Sequence, residues 1–156
     1  MGAVFFYHLT ETPLERALPL LVGKAVQGGY RVLLRTVDDA RANWLDDKLW
    51  TDRDDSFLPH GCADDPFPEQ QPVLITHAGG NLNQSDCLMV MDNADLTPDE
   101  IASFRRVCVL FDGNDPQSVA RARDQWRVFS KTPEGAQYWA QDGGWVKKAE
   151  SAPQAD

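Results

Sequence analysis

The apolar residues of this chain alternate between short continuous runs and longer stretches with helical spacing. Short apolar runs bounded by polar residues are typical of strands that are covered on both faces of a sheet. These runs predict about five strands, at 3–8, 31–35, 73–76, 87–91 and 107–111. Because helical stretches separate the runs, we predict an α/β fold with an open, mainly parallel sheet and helices on both faces.

Each of four helical stretches directly follows residues that can cap a helix N-terminus. The capping signals are a box at Thr12–Glu15, Thr36, a box at Thr97–Glu100, and Asp115 followed by Pro116. The helices that they open are expected to reach Val26, Lys48, Phe104 and about Phe129. Glycines 28 and 29 end the first helix, because glycine readily adopts the left-handed conformation of a C-cap. The inner face of the second helix is predicted to be Val37, Ala40, Trp44, Leu45 and Leu49.

Two stretches interrupt this alternation. Residues 51–72 are rich in aspartate and proline and predict a long loop, and residues 77–85 predict a polar loop. Beyond residue 129 we expect a tail that contains Tyr138, Trp139 and Trp145. The length of the chain favours a single α/β domain at 1–148, followed by a polar, flexible segment at 149–156.

Composition restricts the possible classes of protein. Hydrophobic residues make up 42% of the chain, which suffices for a sizeable core, yet no apolar run approaches the roughly 20 residues of a membrane span. The N-terminus has no basic segment followed by a long apolar one, so we expect no signal peptide and no membrane partner. The three cysteines have no CxxC spacing, which favours a reducing cytoplasm and argues against zinc. The reactivity of Cys62, in the predicted long loop, stays undetermined.

Charge is segregated along the chain. The net charge is −9, but residues 103–131 hold six cations and three anions, a net of +3, which leaves −12 for the remainder. On the basic helix, Val119, Arg123, Trp126 and Arg127 share one face at 3.6 residues per turn. Arg123 and Arg127 can converge on one carboxylate, while Trp126 forms the floor of an apolar pocket that Val119 extends. Alternatively, Trp126 belongs to the core and the arginines face solvent, and the spacing leaves both interpretations open.

A second group of residues combines Leu49 and Trp50 with Phe57, Leu58 and Pro59 in the polar loop. Large apolar side chains in such a loop either fold back as a satellite cluster or form an exposed protein interface. Spacing slightly favours the cluster.

Signatures of catalysis are mostly missing from the sequence. No G-x-G-x-x-G motif follows the first strand, and the Gly23-Lys24 pair lies within a helix, where it cannot cradle phosphate. Ser56 and His60 are the one local nucleophile and base pair, and a turn serine beside a surface histidine is the favoured interpretation. We therefore predict no catalytic residue, no cofactor and no metal ligand.

Several motifs, in their order along the chain, resemble the chi subunit family of bacterial DNA polymerase III. The motifs are Phe6–Leu9, Leu49-Trp50, Ser56–His60, Ala120–Phe129, Tyr138–Gln141 and Gly143–Trp145. Each is weak alone, but the ordered set covers nearly the whole chain. The resemblance implies a Rossmann-like fold without nucleotide chemistry and a non-catalytic accessory role in DNA replication.

The resemblance also implies partners and the residues that contact them. Chi proteins link the psi subunit of the clamp loader to single-stranded-DNA-binding protein, whose acidic C-terminal tail ends in a phenylalanine carboxylate, so their contact with DNA is indirect. Arg123, Trp126 and Arg127 match the tail-binding positions. Trp50, Phe57, Leu58 and the adjoining Pro59 match the psi-facing surface. Val119 stands where the family often has a lysine, which either weakens tail binding or is compensated by Arg105 and Arg106.

Two other functions are carried as alternatives. One is a nucleotide-binding or phosphotransfer enzyme that uses His8, His77 and Asp92 at the carboxyl edge of the sheet. The other is a direct binder of single-stranded nucleic acid, with Trp126 and the arginines forming a stacking groove.

Overall fold

An eight-stranded sheet organises the chain in the computed structural model, which describes residues 3–51, 61–62, 68–77, 81, 83–132, 135–141 and 143–151. The strands are β1 Ala3–Leu9, β2 Val32–Arg35, β3 Gly61–Cys62, β4 Val73–Thr76, β5 Cys87–Val90, β6 Arg106–Asp112, β7 Ala136–Gln141 and β8 Trp145–Ser151. The helices are α1 Leu14–Gln27, α2 Asp39–Thr51, α3 Pro98–Ser103 and α4 Pro116–Phe129, with a 3-10 turn at Pro68–Gln70.

The strand order is β3-β4-β2-β5-β6-β1-β7-β8, and every neighbouring pair is parallel except β7 and β8. All residues of β2, β4 and β5 are buried, as expected of strands with helices on both sides. The predicted α/β class with an open, mainly parallel sheet is therefore confirmed, with more strands than the five expected.

Two apolar layers cover the sheet. Ala17, Leu18 and Val22 of α1 and Ala42 and Leu45 of α2 pack on one side, which we call the α1/α2 face. The helices α3 and α4 pack on the other side, the α3/α4 face, through Ile101, Phe104, Ala122 and Phe129. Successive residues of each strand point to opposite layers, so Tyr7 of β1 belongs to the α1/α2 face and Phe6 to the α3/α4 face.

Three strands were not expected from the sequence. The short β3 includes Cys62, which is buried rather than in an open loop. The strands β7 and β8 form a hairpin in the region predicted as a tail, and β7 pairs in parallel with β1. The apolar runs of the hairpin are short, at 138–140 in β7 and 145–146 in β8, and most residues of both strands are half-buried or exposed. The last strand continues through Ser151, so residues 149–151 are part of the sheet.

The helix caps agree only partly with prediction. The box at Thr97–Glu100 and the cap at Asp115 are both formed. The box at Thr12 is not formed: the amide groups of residues 10, 11 and 12 instead donate to Oε1 of Gln141, at 2.9–3.1 Å. Thr36 does not cap α2, because its hydroxyl donates to the Asp92 carboxylate, and Asp38 accepts the Arg41 amide at 2.8 Å in its place.

The first and second helices differ in how well their patterns were predicted. The first ends as expected, with Gly29 at φ 89°. The second buries Ala42 and Leu45, whereas Val37 is 46% exposed and Ala40 is also exposed. Val37 lies before the first residue of α2, and Trp44 packs half-buried against the α1/α2 face beside Leu45, while the side chain of Leu49 lies outside the described residues. Within the described ranges, no helix has both the length and the apolarity that crossing a bilayer requires.

Candidate functional site

The basic helix α4 is anchored at its start and buried along one side. One Asp115 carboxylate oxygen accepts the Gln117 amide at 3.1 Å and the other accepts the Ser118 hydroxyl at 2.8 Å. Proline at the first helical position has no amide hydrogen to lose, so the helix begins cleanly there. Ala122 and Phe129 then pack into the α3/α4 face. This packing fixes which side chains α4 presents to solvent.

A shallow cavity lies where α4 meets the β7–β8 hairpin, and we call it the α4 pocket. Its volume is about 160 Å³, and it is lined by Val119, Arg123, Trp126, Tyr138 and Ala149. Three of the four residues predicted to form a binding face on α4 are therefore brought together. Tyr138 and Ala149 are supplied by the two strands that the sequence did not predict.

The indole of Trp126 forms part of the core and part of the pocket wall. Its ring lies edge-on to Phe6, with centroids 5.6 Å apart, and edge-on to Tyr138, with centroids 6.0 Å apart. Trp126 is nevertheless only half-buried, and its remaining surface lines the α4 pocket. The indole thus packs on the core without being sealed by it, which leaves its role in binding a prediction.

Arg123 supplies the positive charge of the α4 pocket. Its side chain is exposed, and it forms no ion pair with any residue that the structure describes. Burial raises the pKa of the Tyr138 hydroxyl, an effect that the nearby Arg123 guanidinium partly opposes. The Tyr138 hydroxyl therefore stays neutral at ordinary pH, and it lies 2.7 Å from Nδ1 of His8.

Arg127 and Arg121 lie outside the α4 pocket. Arg127 pairs with Asp124 at 3.5 Å, and both side chains are largely exposed, so this pair is weak and easily exchanged. Arg121 pairs with Asp95 at 2.9 Å, away from the pocket. The expected convergence of Arg123 and Arg127 on one ligand is not preformed.

Arg105 and Arg106, named as possible substitutes for a lysine at position 119, make their contacts elsewhere. The Arg105 guanidinium lies 5.2 Å from the ring centroid of Tyr30 and 3.6 Å from Asp86. Arg106 donates to the Tyr7 hydroxyl at 2.9 Å, on the α1/α2 face of the sheet. Arg105 and Arg106 therefore contact groups away from the α4 pocket, and the sheet separates Arg106 from that pocket.

The residues predicted to face a psi subunit lie mostly outside the described part of the chain. Phe57, Leu58 and Pro59 fall in the undescribed segment 52–60. Trp50 lies in the last turn of α2, and its side chain is also outside the description.

The carboxyl edge of the sheet differs from a phosphate-binding site. Asp92 accepts the Thr36 hydroxyl at 2.5 Å and two Arg41 nitrogens at 3.0 and 2.9 Å. The crevice beside these residues measures about 660 Å³, and its acidic side chains outnumber the single cation that lines it. Those acids are Glu11, Glu15, Asp92, Asp112 and Asp115. This excess of negative charge repels phosphate groups.

Two other features of the enzyme alternative are the histidine at the sheet edge and a possible group of metal ligands. The ring of His8 stacks on Phe111, with centroids 4.9 Å apart, and its Nδ1 is taken by Tyr138. In the part of the chain that the structure describes, no three His, Cys, Asp or Glu side chains are grouped to hold a metal ion. Of the three residues named for an enzyme, His8 and Asp92 are thus engaged in packing and internal hydrogen bonds, whereas His77 is exposed and lines a separate cavity.

Comparison with known proteins gives the family. A family model described as DNA polymerase III chi subunit, HolC, matches residues 1–133, which include every element from β1 to α4. The chain belongs to the DNA polymerase III chi subunit family. Membership assigns it an accessory role in DNA replication, as a component of DNA polymerase III. The matched region ends before β7, so Tyr138 and Ala149 lie beyond it.

Individual relatives agree with the family model. DNA polymerase III subunit chi of Pseudomonas aeruginosa is 31% identical over 109 residues, which cover 70% of this chain and 73% of that protein. A probable DNA polymerase III subunit chi of Rickettsia prowazekii is 27% identical over 111 residues, which cover 68% and 67% of the two chains. DNA polymerase III subunit chi of Haemophilus influenzae is 26% identical over 126 residues, which cover 78% and 85%.

Proposed function

We propose that this chi-family chain acts by binding rather than by catalysis, and that its α4 pocket docks the acidic C-terminal tail of single-stranded-DNA-binding protein. The observation that carries the proposal is the position of Arg123, an exposed cation without an ion-pair partner among the described residues, beside the half-buried Trp126 indole in one cavity. A cation next to an apolar wall recognises a carboxylate that is attached to an aromatic side chain.

The size of the α4 pocket fits this ligand. At about 160 Å³ it is smaller than the roughly 300–1,000 Å³ of typical small-molecule sites. It accommodates one side chain at the end of a peptide, with the ring against Trp126 and Tyr138 and the carboxylate on the Arg123 guanidinium. Arg127 lies one turn further along α4, where its exposed pair with Asp124 can exchange for a carboxylate of the tail.

The energetics favour a moderate affinity. One buried ring and one or two charge-assisted contacts correspond to micromolar binding, on the order of −8 kcal/mol. The charged contacts lie at the surface, so added salt weakens them. An acidic tail also meets repulsion from the rest of the chain, which carries −12 outside residues 103–131. The basic surface of α4 therefore sets the place at which such a tail binds.

Direct binding to nucleic acid is disfavoured by the charge of −12 outside residues 103–131, which repels phosphate, and by the small number of aromatic faces on α4. A stacking groove needs successive aromatic faces along a cationic track. On α4, Trp126 is the half-buried aromatic residue, and Phe129 is buried in the core. We propose that any association with DNA is indirect, through single-stranded-DNA-binding protein.

The test is a titration of a labelled acidic peptide that ends in a phenylalanine carboxylate, followed by fluorescence anisotropy. We expect Arg123→Glu to abolish binding, and Arg121→Glu, which makes the same charge change on the same helix but outside the pocket, to reduce binding only slightly. The C-terminal amide of the same peptide is the ligand control and should bind much more weakly. Equal effects of the two arginine variants, or equal binding of the amide, would falsify the proposed site.

We further propose that Trp50, Phe57, Leu58 and Pro59 bind the psi subunit of the clamp loader. This proposal is supported by family membership and by the resemblance of the Leu49-Trp50 and Ser56–His60 motifs. Phe57→Ala should abolish co-purification with the psi subunit from the same organism and leave the anisotropy titration of the tail peptide unchanged. Co-purification that survives this substitution, and also survives Trp50→Ala, would remove the assignment.

A further inference from the structure

A second cavity lies on the α1/α2 face of the sheet, between α1 and the β7–β8 hairpin, and we call it the α1 cavity. Its volume is about 420 Å³, within the usual range of small-molecule sites. Most of the residues that line it are apolar or aromatic. They include Tyr7, Leu21, Tyr30, Met89, Trp139 and Trp145.

The α1 cavity is separate from the α4 pocket. Tyr7, Trp139 and Trp145 pack with the α1/α2 face, whereas Trp126 and Tyr138 pack with the α3/α4 face. Neighbouring residues of β7 point to opposite sides of the sheet, so Tyr138 and Trp139 contribute to different cavities. A ligand in one cavity does not touch the walls of the other.

Two aromatic planes define the shape of the α1 cavity. Trp145 lies edge-on to Tyr7, with ring centroids 5.1 Å apart and planes at 78°. The Trp139 indole is held by a hydrogen bond from its Nε1 to Gln137 Oε1 at 3.0 Å. Both indoles are only half-buried, so each retains surface for contact with a ligand. Flat aromatic groups pack favourably against such walls.

The charged groups of the α1 cavity are both cationic, although the chain as a whole carries −9. They are Lys24, which is exposed on α1, and Arg106, which is half-buried at the start of β6. Arg106 donates to the Tyr7 hydroxyl at 2.9 Å, and its guanidinium lies 4.1 Å from the ring centroid of Phe5. Neither cation has an ion pair within the ranges that the structure describes.

We infer that the α1 cavity binds a small amphipathic anion, with a flat apolar ring system between Trp139, Trp145 and α1 and an acidic group on Lys24 and Arg106. A half-buried cation without a counterion is costly, and a bound carboxylate or sulfonate offsets that cost while its rings bury apolar surface. A neutral aromatic molecule does not offset the charge of the cations, and a small inorganic anion does not bury apolar surface. The ligand class is therefore an aromatic acid rather than either component alone.

The test compares two fluorescent probes that differ in one group. 1-Anilinonaphthalene-8-sulfonate carries a sulfonate, and N-phenyl-1-naphthylamine is its uncharged analogue. We expect the sulfonate to bind the folded chain more tightly, with energy transfer from tryptophan that falls in Trp145→Phe. Lys24→Glu should weaken binding of the sulfonate roughly tenfold and leave the uncharged probe within about twofold, because only the charged contact is lost.

The variants are chosen so that loss of folding does not imitate loss of the site. Lys24 is exposed, and near-UV circular dichroism should show an unchanged fold in Lys24→Glu. Arg106→Gln should act in the same direction, and Arg121→Glu, which lies outside both the α4 pocket and the α1 cavity, should leave binding of the sulfonate unchanged. Equal binding of the two probes, equal weakening of both probes by Lys24→Glu, or loss of sulfonate binding in Arg121→Glu would each overturn the inference.

Discussion

Introducing a cation at position 119 is the most direct test of how the α4 pocket holds its ligand. Val119 lines the pocket one helical turn before Arg123, with Cβ atoms about 5–6 Å apart by helix geometry. The Val119→Lys substitution therefore places an ammonium group next to the Arg123 guanidinium, where a bound carboxylate is expected. It also restores the lysine that chi proteins often have at this position.

The expected gain in affinity follows from three contributions. A surface charge pair contributes about 0.2–1 kcal/mol. Repulsion between the new lysine and Arg123 costs the free protein about 0.2–0.5 kcal/mol, and a bound carboxylate relieves it. Against these gains, some apolar contact with Val119 is lost, although the methylene stem of lysine replaces part of it. The net gain is about 0.5–1 kcal/mol, or roughly two- to fivefold tighter binding.

The assay is the anisotropy titration of the tail peptide, performed at low salt and at high salt. Ala120→Lys is the matched control, because it adds the same charge at an exposed neighbouring position outside the pocket. We expect Val119→Lys to bind more tightly than this control at low salt, with the difference shrinking at high salt. If the two variants bind equally well, the gain is general attraction and the carboxylate does not sit beside position 119.

Three further predictions concern the pocket wall, backbone packing and pH. Ala149→Phe should fill the α4 pocket and weaken peptide binding at least about tenfold, since the pocket holds one side chain, whereas Ala149→Ser should bind normally in the same titration. Gly113→Ala should lower the free energy of unfolding by about 1–3 kcal/mol in urea denaturation, because the new Cβ collides with the His8 ring. Gly23 in α1 has open space around it, so Gly23→Ala should instead raise the free energy of unfolding by about 0.5–1 kcal/mol. Burial raises the pKa of Tyr7 from 10.0 to about 12, so the native state keeps a proton that the unfolded chain loses, and up to about 2–3 kcal/mol of stability should disappear between pH 10 and 12. Tyr7→Phe should reduce that loss, and an equal loss in both proteins would contradict the assignment to Tyr7.

The elements that the sequence predicted correctly are those whose signals are local. The capping box at Thr97 and the cap at Asp115 involve groups within three residues of each other, so their hydrogen bonds form largely independently of the rest of the fold. The continuous apolar runs of the central strands follow from burial on both faces. Where a local signal competed with a tertiary partner, the partner prevailed: Thr36 bonds Asp92, 56 residues away, instead of capping α2.

Local spacing along α4 also accounts for the part of the candidate site that was predicted. Helical periodicity suffices to place Val119, Arg123 and Trp126 on one side of α4, and these residues do line one cavity. It did not show that Arg127 pairs with Asp124, nor that Arg106 lies across the sheet from the pocket. Those outcomes depend on the exact neighbours of each side chain, which spacing along a helix does not specify.

By itself, the amino-acid sequence determined the α/β class, the positions of the central strands, the caps of α3 and α4, and the family to which the chain belongs. Only the tertiary structure decided that Tyr138 and Ala149 complete the α4 pocket and that the α1 cavity exists. Both cavities depend on the β7–β8 hairpin, whose residues are mostly half-buried or exposed. The position of that hairpin is set by backbone pairing of β7 with β1, whose paired residues lie more than 130 residues earlier in the chain. Such long-range backbone pairing leaves little trace in the local pattern of side chains.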